Sequence, residues 1–190
     1  KQYYADGKYT RAVVLLQDVI SVLKGTDKGE ESLYLLGISA YKARDYEAAA
    51  NFLKKYYETY TNGLYTQDAR FYNAMALYKN TPEPKLDQTE TYEAVTAFQN
   101  LLEIFPQSIY AKESQDMIFK LQDKLVEKEY LSAKTYFDLG SYFGNCNFGG
   151  NNYQACIITA ENAMRDYPCS IRREDFAIML LRVKYLLAVH

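Results

Sequence analysis

Hydrophobic positions along this chain recur at helical spacing. Leu33, Leu36, Gly37, Ala40 and Tyr41 fall at i, i+3, i+4, i+7 and i+8, which is one face of an α-helix. Comparable apolar stretches contain Val13 to Leu16, Phe52-Leu53, Val95 with Phe98 and Leu101-Leu102, and Ile157-Ile158. Strand signals are absent, so the pattern predicts an all-α chain of about ten helices. Two segments interrupt it. Thr81-Pro-Glu-Pro-Lys-Leu-Asp87 cannot continue a helix, because proline removes a donor and restricts the residue before it. The glycine- and asparagine-rich residues 144–152 read as a second extended turn. Between them lie two helical stretches, 109–127 and 129–143, with no breaker at the junction.

The helices repeat as pairs. Tyrosine followed by a small residue recurs as Tyr9 with Ala12, Tyr46 with Ala48 and Ala49, Tyr92 with Ala94, and Tyr153 with Ala155 and Cys156. Three of the stretches so opened close alike, in Tyr60-Thr61, Phe105-Pro106 and Tyr167-Pro168, and Ser108 and Ser170 then read as N-caps. Tyr9 and Tyr46 are 37 residues apart, near the roughly 34-residue period of a tetratricopeptide (TPR) helix–turn–helix. Gly37 and Ala49 supply the small residues that let paired helices approach. The expected architecture is one TPR-type α-solenoid of antiparallel helix pairs over residues 1–190. Its five repeats are 1–25 (truncated), 29–62, 64–106, 108–143 with the inserted turn 144–152, and 153–190.

Charge and composition narrow the function. Lys and Arg total 22 against 24 acids, and no basic face stands out, so nucleic acid is not an expected partner. Apolar runs such as Ile178–Leu181 are too short to cross a bilayer. The single histidine is His190, which leaves histidine-based acid–base, nucleophilic and metal chemistry without its central group. Cys146, Cys156 and Cys169 have neither redox nor zinc spacing; they read as idle thiols, or as one disulfide with a leftover thiol. Glu30-Glu31, Glu127 with Glu129, and Glu174-Asp175 read as solvated helix faces. Residues 144–150 carry no phosphate-cradling motif. No enzyme, cofactor or metal is expected.

A resemblance adds to these readings. Asp87–Ser108 is similar to the third repeat of the BamD lipoproteins of bacterial outer-membrane β-barrel assembly. Leu121–Gly140 resembles the next helices of that family, and Arg165-Asp-Tyr-Pro168 the end of its last full repeat. Asp6 to Ala12, and Asp45-Tyr46 with Ala49, fit its first two repeats. The tyrosine-rich style and the 144–152 insertion resemble the Bacteroidetes branch. The resemblance implies a periplasmic, lipid-anchored scaffold at the outer membrane, touching the bilayer only through an anchor that lies outside this sequence. Its implied partners are the β-barrel assembly protein, other assembly lipoproteins and unfolded outer-membrane proteins. A basic residue that holds the assembly protein in the family falls at Thr159 here, so that contact is not carried over. The alternative is a peptide-binding or regulatory TPR adaptor with other partners.

In a TPR array the first helices of successive repeats line the inner surface. Counting from Gly37 and its equivalent Ala74, the expected peptide groove consists of Tyr34, Leu35, Ile38, Tyr41, Lys42, Phe71, Tyr72, Met75 and Tyr78, with Glu31, Asp68 and Lys79 at its edges. Packing between helices is the competing assignment for each aromatic. Tyr56, Tyr57 and Tyr60 cannot all face inward on one helix, so at least one is expected at the surface or at a contact. Contact with the assembly protein is expected around Glu161, Arg165, Arg172 and Arg173. The last segment, 171–189, is apolar on more than one side and predicts packing against a further repeat or a partner.

Overall fold

The computed structural model describes residues 2–23, 26–140 and 151–189. Among these residues the chain forms nine α-helices and no strand. They are α1 (Gln2–Ala5), α2 (Tyr9–Leu23), α3 (Asp27–Lys42), α4 (Tyr46–Thr59), α5 (Thr66–Asn80), α6 (Thr89–Ile104), α7 (Ala111–Leu139), α8 (Asn152–Asp166) and α9 (Arg173–Val189). Consecutive helices pack in pairs, as in an all-α, TPR-type α-solenoid. No helix among the described residues is long and apolar enough to cross a membrane.

Local chemistry explains the ends of these helices. The Asp45 carboxylate accepts from the Ala48 N–H at 3.2 Å, capping α4, and Asn151 caps α8 by accepting from the Tyr153 N–H at 2.8 Å. Tyr60, Phe105 and Tyr167 end α4, α6 and α8 in one conformation, with φ of −118°, −128° and −129°. The sequence likeness of these three positions is therefore a likeness of backbone. Ser108 and Ser170 are not N-caps: α7 and α9 start three residues later. Their hydroxyls instead accept from the N–H two residues on, Tyr110 and Arg172, and so shape the turn.

The chain divides into two compact units, Lys1–Pro82 with Gln88–Leu121, and Glu83–Asp87 with Gln122–His190. In the N-terminal unit α2 packs on α3, α3 on α4, α4 on α5 and α5 on α6, and α3 also touches α5. A Cβ on Gly37 would come within 2.6 Å of the Leu53 side chain, so glycine is what lets α3 approach α4 so closely. Around that contact lie Leu36, Leu53, Tyr56 and Ala69. A second cluster joins Phe71, Ala74, Phe98 and Leu101 to Met117 and Leu121 of α7. In the C-terminal unit Val126 and Ala133 of α7 pack with Cys156 and Ala160 of α8 and with Phe176, Met179 and Val183 of α9.

Residues 81–88 are non-helical, as their prolines require. The two stretches expected at 109–127 and 129–143 are instead the single helix α7, because nothing between Glu127 and Glu129 removes a donor or frees the backbone. The inserted turn expected at 144–152 lies outside the described residues apart from Asn151 and Asn152.

Candidate protein-interaction site

Aromatic side chains form a seam along the first helices of the N-terminal unit. Tyr34 of α3 stacks on Tyr65, just before α5, with centroids 4.3 Å apart and planes 5° from parallel. One repeat later Phe71 of α5 stacks on Tyr110, just before α7, at 4.1 Å and 10°. Tyr41 and Tyr72 meet edge to face at 5.3 Å, and Tyr72 meets Phe71 at 5.4 Å. Such pairs contribute roughly 0.5–1.5 kcal/mol each beyond the area they bury. The rings are therefore held in place before anything binds.

The phenols of the seam stay protonated, with the Asp68 carboxylate beside them. Burial pushes the Tyr34 phenol well above the ordinary tyrosine value, and the Asp68 carboxylate adds to the shift. Burial also raises Tyr110, whose hydroxyl donates to Asp68 Oδ1 at 2.8 Å, and it raises Tyr41 in the same direction. Flat, half-buried faces beside hydroxyl groups suit a peptide with aromatic or aliphatic side chains and few charges.

The residues expected to line the groove divide into three groups. Tyr34, Leu35, Tyr41, Tyr72, Met75 and Tyr78 are half-buried, and Lys42 and Lys79 are exposed at the edge. Ile38 and Phe71, each 4% exposed, are core residues, which corrects the expectation that they lie open on the inner side. An inner helix of a stack is covered both by its partner and by the next repeat, so only part of its inner face stays accessible. Tyr65 and Tyr110 were not expected in the strip. The signal was present, since each follows an aliphatic residue in the same turn slot, Leu64 or Ile109. Of the three tyrosines crowded on α4 and its end, Tyr56 is fully buried, while Tyr57 and Tyr60 are half-buried. Tyr57 lies under the Arg70 guanidinium at 4.3 Å.

In the C-terminal unit Arg172 occupies the turn slot of Tyr65 and Tyr110. Its guanidinium lies 4.3 Å from the Tyr130 centroid. It donates from Nη2 and Nε to Glu127 Oε2 at 2.6 and 2.8 Å, and from Nη1 to Asp175 Oδ2 at 3.0 Å. Burial opposes its charge, but the bonds to Asp175 and Glu127 outweigh that and hold its pKa above the ordinary arginine value. Arg172 is thus committed within the unit. Glu161 is exposed and paired with Lys184 at 3.2 Å, Arg165 is exposed beside Asp166, and Arg173 donates to the Pro168 carbonyl at 3.0 Å. Along α9, Phe176, Met179 and Val183 are buried while Ile178, Leu181, Tyr185 and Val189 are exposed.

Cys156 is buried, and burial pushes its thiol upward and makes it unreactive; Cys169 is exposed, and both are free. Cys146, residues 144–150 and His190 lie outside the described residues. Among the described residues no cluster of three His, Cys, Asp or Glu side chains could hold a metal. A family model described as YfiO, outer membrane lipoprotein, matches residues 1–168. No curated protein matches the chain.

Proposed function

Because the chain belongs to the YfiO family of outer membrane lipoproteins, the BamD-like family, we propose that it is a non-catalytic scaffold of outer-membrane β-barrel protein assembly. In this reading it is lipid-anchored on the periplasmic face of the outer membrane. It holds the barrel assembly protein and other assembly lipoproteins, and it receives unfolded outer-membrane proteins. The observation that carries the reading is the aromatic seam. Tyr34, Tyr41, Tyr72, Met75 and Tyr78 present half-buried faces on helices already fixed by packing, with Lys42 and Lys79 at the rim. A preordered surface of that kind binds an extended or helical peptide without first having to order itself. The tyrosine-rich composition and the 144–152 insertion favour a Bacteroidetes-like branch of the family. Partner contact on the C-terminal unit falls to Glu161, Arg165 and Arg173, with Arg172 supporting the turn from inside.

The test is capture of the full-length native protein from detergent-solubilised envelope, with mass spectrometry of what accompanies it. Recovery of the barrel assembly protein is the expected outcome. A different reproducible partner, with no barrel machinery, would replace this reading with that of a peptide-binding or regulatory TPR adaptor. Charge reversal at Glu161, Arg165 and Arg173 should weaken the capture, and unchanged recovery would move the contact elsewhere.

A further inference from the structure

The three most exposed large hydrophobic side chains among the described residues are Ile109, Leu64 and Ile171, at 85%, 83% and 82%. All three occupy one slot of the repeat, immediately before Tyr110, Tyr65 and Arg172. Scattered exposed aliphatics need no explanation. Recurrence in the same slot of three turns does.

Leu64 and Ile109 belong to the N-terminal unit, where their turns are neighbours: the Ser108 hydroxyl lies 3.3 Å from Gln67 Oε1. No Asp, Glu, Lys or Arg occurs in either turn, from Tyr60 to Gln67 or from Ile104 to Ala111, and the one carboxylate shown reaching into the first, Glu30 of α3, is taken up by the Leu64 amide and the Tyr56 hydroxyl. The connections at the other end of the helix pairs are charged, with Asp6 and Lys8 in one and Arg44 and Asp45 in the next. Half-buried aromatics flank each tip, Tyr60 and Tyr65 beside Leu64, Phe105 and Tyr110 beside Ile109. Turn amides are already satisfied: Leu64 N–H donates to Glu30 at 2.8 Å, Tyr65 N–H to the Tyr56 hydroxyl at 3.1 Å, and Tyr110 N–H to Ser108 at 3.2 Å. Satisfied amides lower the cost of leaving water.

We propose that this edge of the N-terminal unit rests on the membrane surface, with Leu64 and Ile109 entering the boundary between headgroups and acyl chains. Aliphatic tips flanked by tyrosine rings suit that boundary. Protein interfaces centre instead on a contiguous packed core, and tips this exposed do not supply one. The inference rests on membership in a lipoprotein family and not on the scaffold role. A tether that holds the chain beside the bilayer lets contacts too weak to bind alone orient it.

The protein contains no tryptophan, so a single introduced one reports its own surroundings. Leu64→Trp, Ile109→Trp and a control, Glu47→Trp at the charged end of α4, would each be held by an N-terminal polyhistidine tag. The vesicles would be phosphatidylethanolamine and phosphatidylglycerol containing nickel-chelating lipid. Blue-shifted emission and quenching by brominated acyl chains at positions 64 and 109, but not at 47, is the expected result. In flotation at limiting nickel-chelating lipid, where the tag holds only part of the protein, the double variant Leu64→Asp, Ile109→Asp should associate with vesicles roughly tenfold less than the parent. Water-like, unquenched emission at both positions in the vesicle-held protein would overturn the proposal. So would a shift that appears only when solubilised envelope proteins are added, which would assign the edge to a protein partner. None of these readouts depends on whether the barrel assembly protein is captured.

Discussion

The guanidinium of Arg172 lies 4.3 Å from the centroid of the Tyr130 ring, in the slot that Tyr110 fills over Phe71 and Tyr65 fills over Tyr34. The register is shared. Tyr34, Phe71 and Tyr130 each stand three residues before a small residue, Gly37, Ala74 or Ala133. Asp68 and Glu127, three residues before Phe71 and Tyr130, accept from Tyr110 and Arg172. At Tyr110 and Arg172 the turn residue thus locks onto both the ring and the acid of the repeat before it.

Removing the lock in the C-terminal unit should loosen α9. The Arg172 side chain is 32% exposed and Glu127 30%, so water screens part of the attraction. Arg172→Ala is expected to cost about 1–2 kcal/mol. Arg172→Lys should recover less than half of that loss, since an ammonium offers no flat face and no fork for two carboxylates. Arg172→Tyr, which copies the occupant used elsewhere, should retain more stability than Arg172→Ala. Hydrogen exchange of the α9 amides measures all three, and equal protection in the alanine variant and the parent would remove the lock from the account.

The seam predicts a loss of stability in alkali. The phenols of Tyr34, Tyr56 and Tyr110 are raised above 10.0 in the folded chain, mainly by burial, so the fold favours their protonated forms. In the unfolded chain the same groups release protons from about pH 10. Above that pH the folded state binds more protons than the unfolded one, so stability falls as pH rises. The contribution is complete below about pH 10 and is lost as pH climbs toward the folded values. Tyr34→Phe and Tyr110→Phe should each flatten the decline. Urea midpoints measured between neutral pH and pH 11 test this, and identical slopes in parent and variants would contradict it.

Tyr56 ties three segments together. Its hydroxyl donates to Glu30 Oε1 at 2.6 Å and accepts from the Tyr65 N–H at 3.1 Å, while Glu30 Oε1 also takes the Leu64 N–H at 2.8 Å. The side chain is 0% exposed. Tyr56→Phe leaves the Tyr65 amide without that acceptor and should cost about 1–3 kcal/mol. The loss should show as faster hydrogen exchange at Leu64 and Tyr65. A variant as stable as the parent would mean that water or a rotated amide replaces the bond.

Much of this was legible in the sequence because it is local. The period of Leu33, Leu36 and Ala40, the prolines at 82 and 84, and the small residues Gly37 and Ala49 each act within a helix or a helix pair. What stayed hidden acts between repeats. Phe71 and Ile38 look like inner-face residues until the next repeat is laid against them, and Arg172 looks like a free surface charge until Tyr130 and Glu127 are brought beneath it. The continuity of α7 escaped for another reason. A division into 109–127 and 129–143 puts a boundary at Lys128, but the residues there are ordinary helix formers, and nothing in them breaks a helix.

Arg44 and Gly7 carry the last prediction. Both stand two residues before the tyrosine that opens a second helix, Tyr46 or Tyr9, and both are left-handed, with φ of 66° and 73°. That conformation lets the chain reverse within a few residues, and it costs a residue with a Cβ about 1–2 kcal/mol. Glycine adopts it freely but loses more backbone entropy on folding. Arg44→Gly should therefore stabilise the chain by a net ~0.5–1 kcal/mol, and Gly7→Ala should destabilise it by about 1 kcal/mol. Nothing lies within 4 Å of a Cβ placed on Gly7, so strain and not collision is what the alanine would report. Thermal or urea denaturation of the two variants reads opposite signs if the turn conformation governs. Destabilisation by Arg44→Gly would show instead that the arginine side chain contributes a stabilisation larger than its backbone strain.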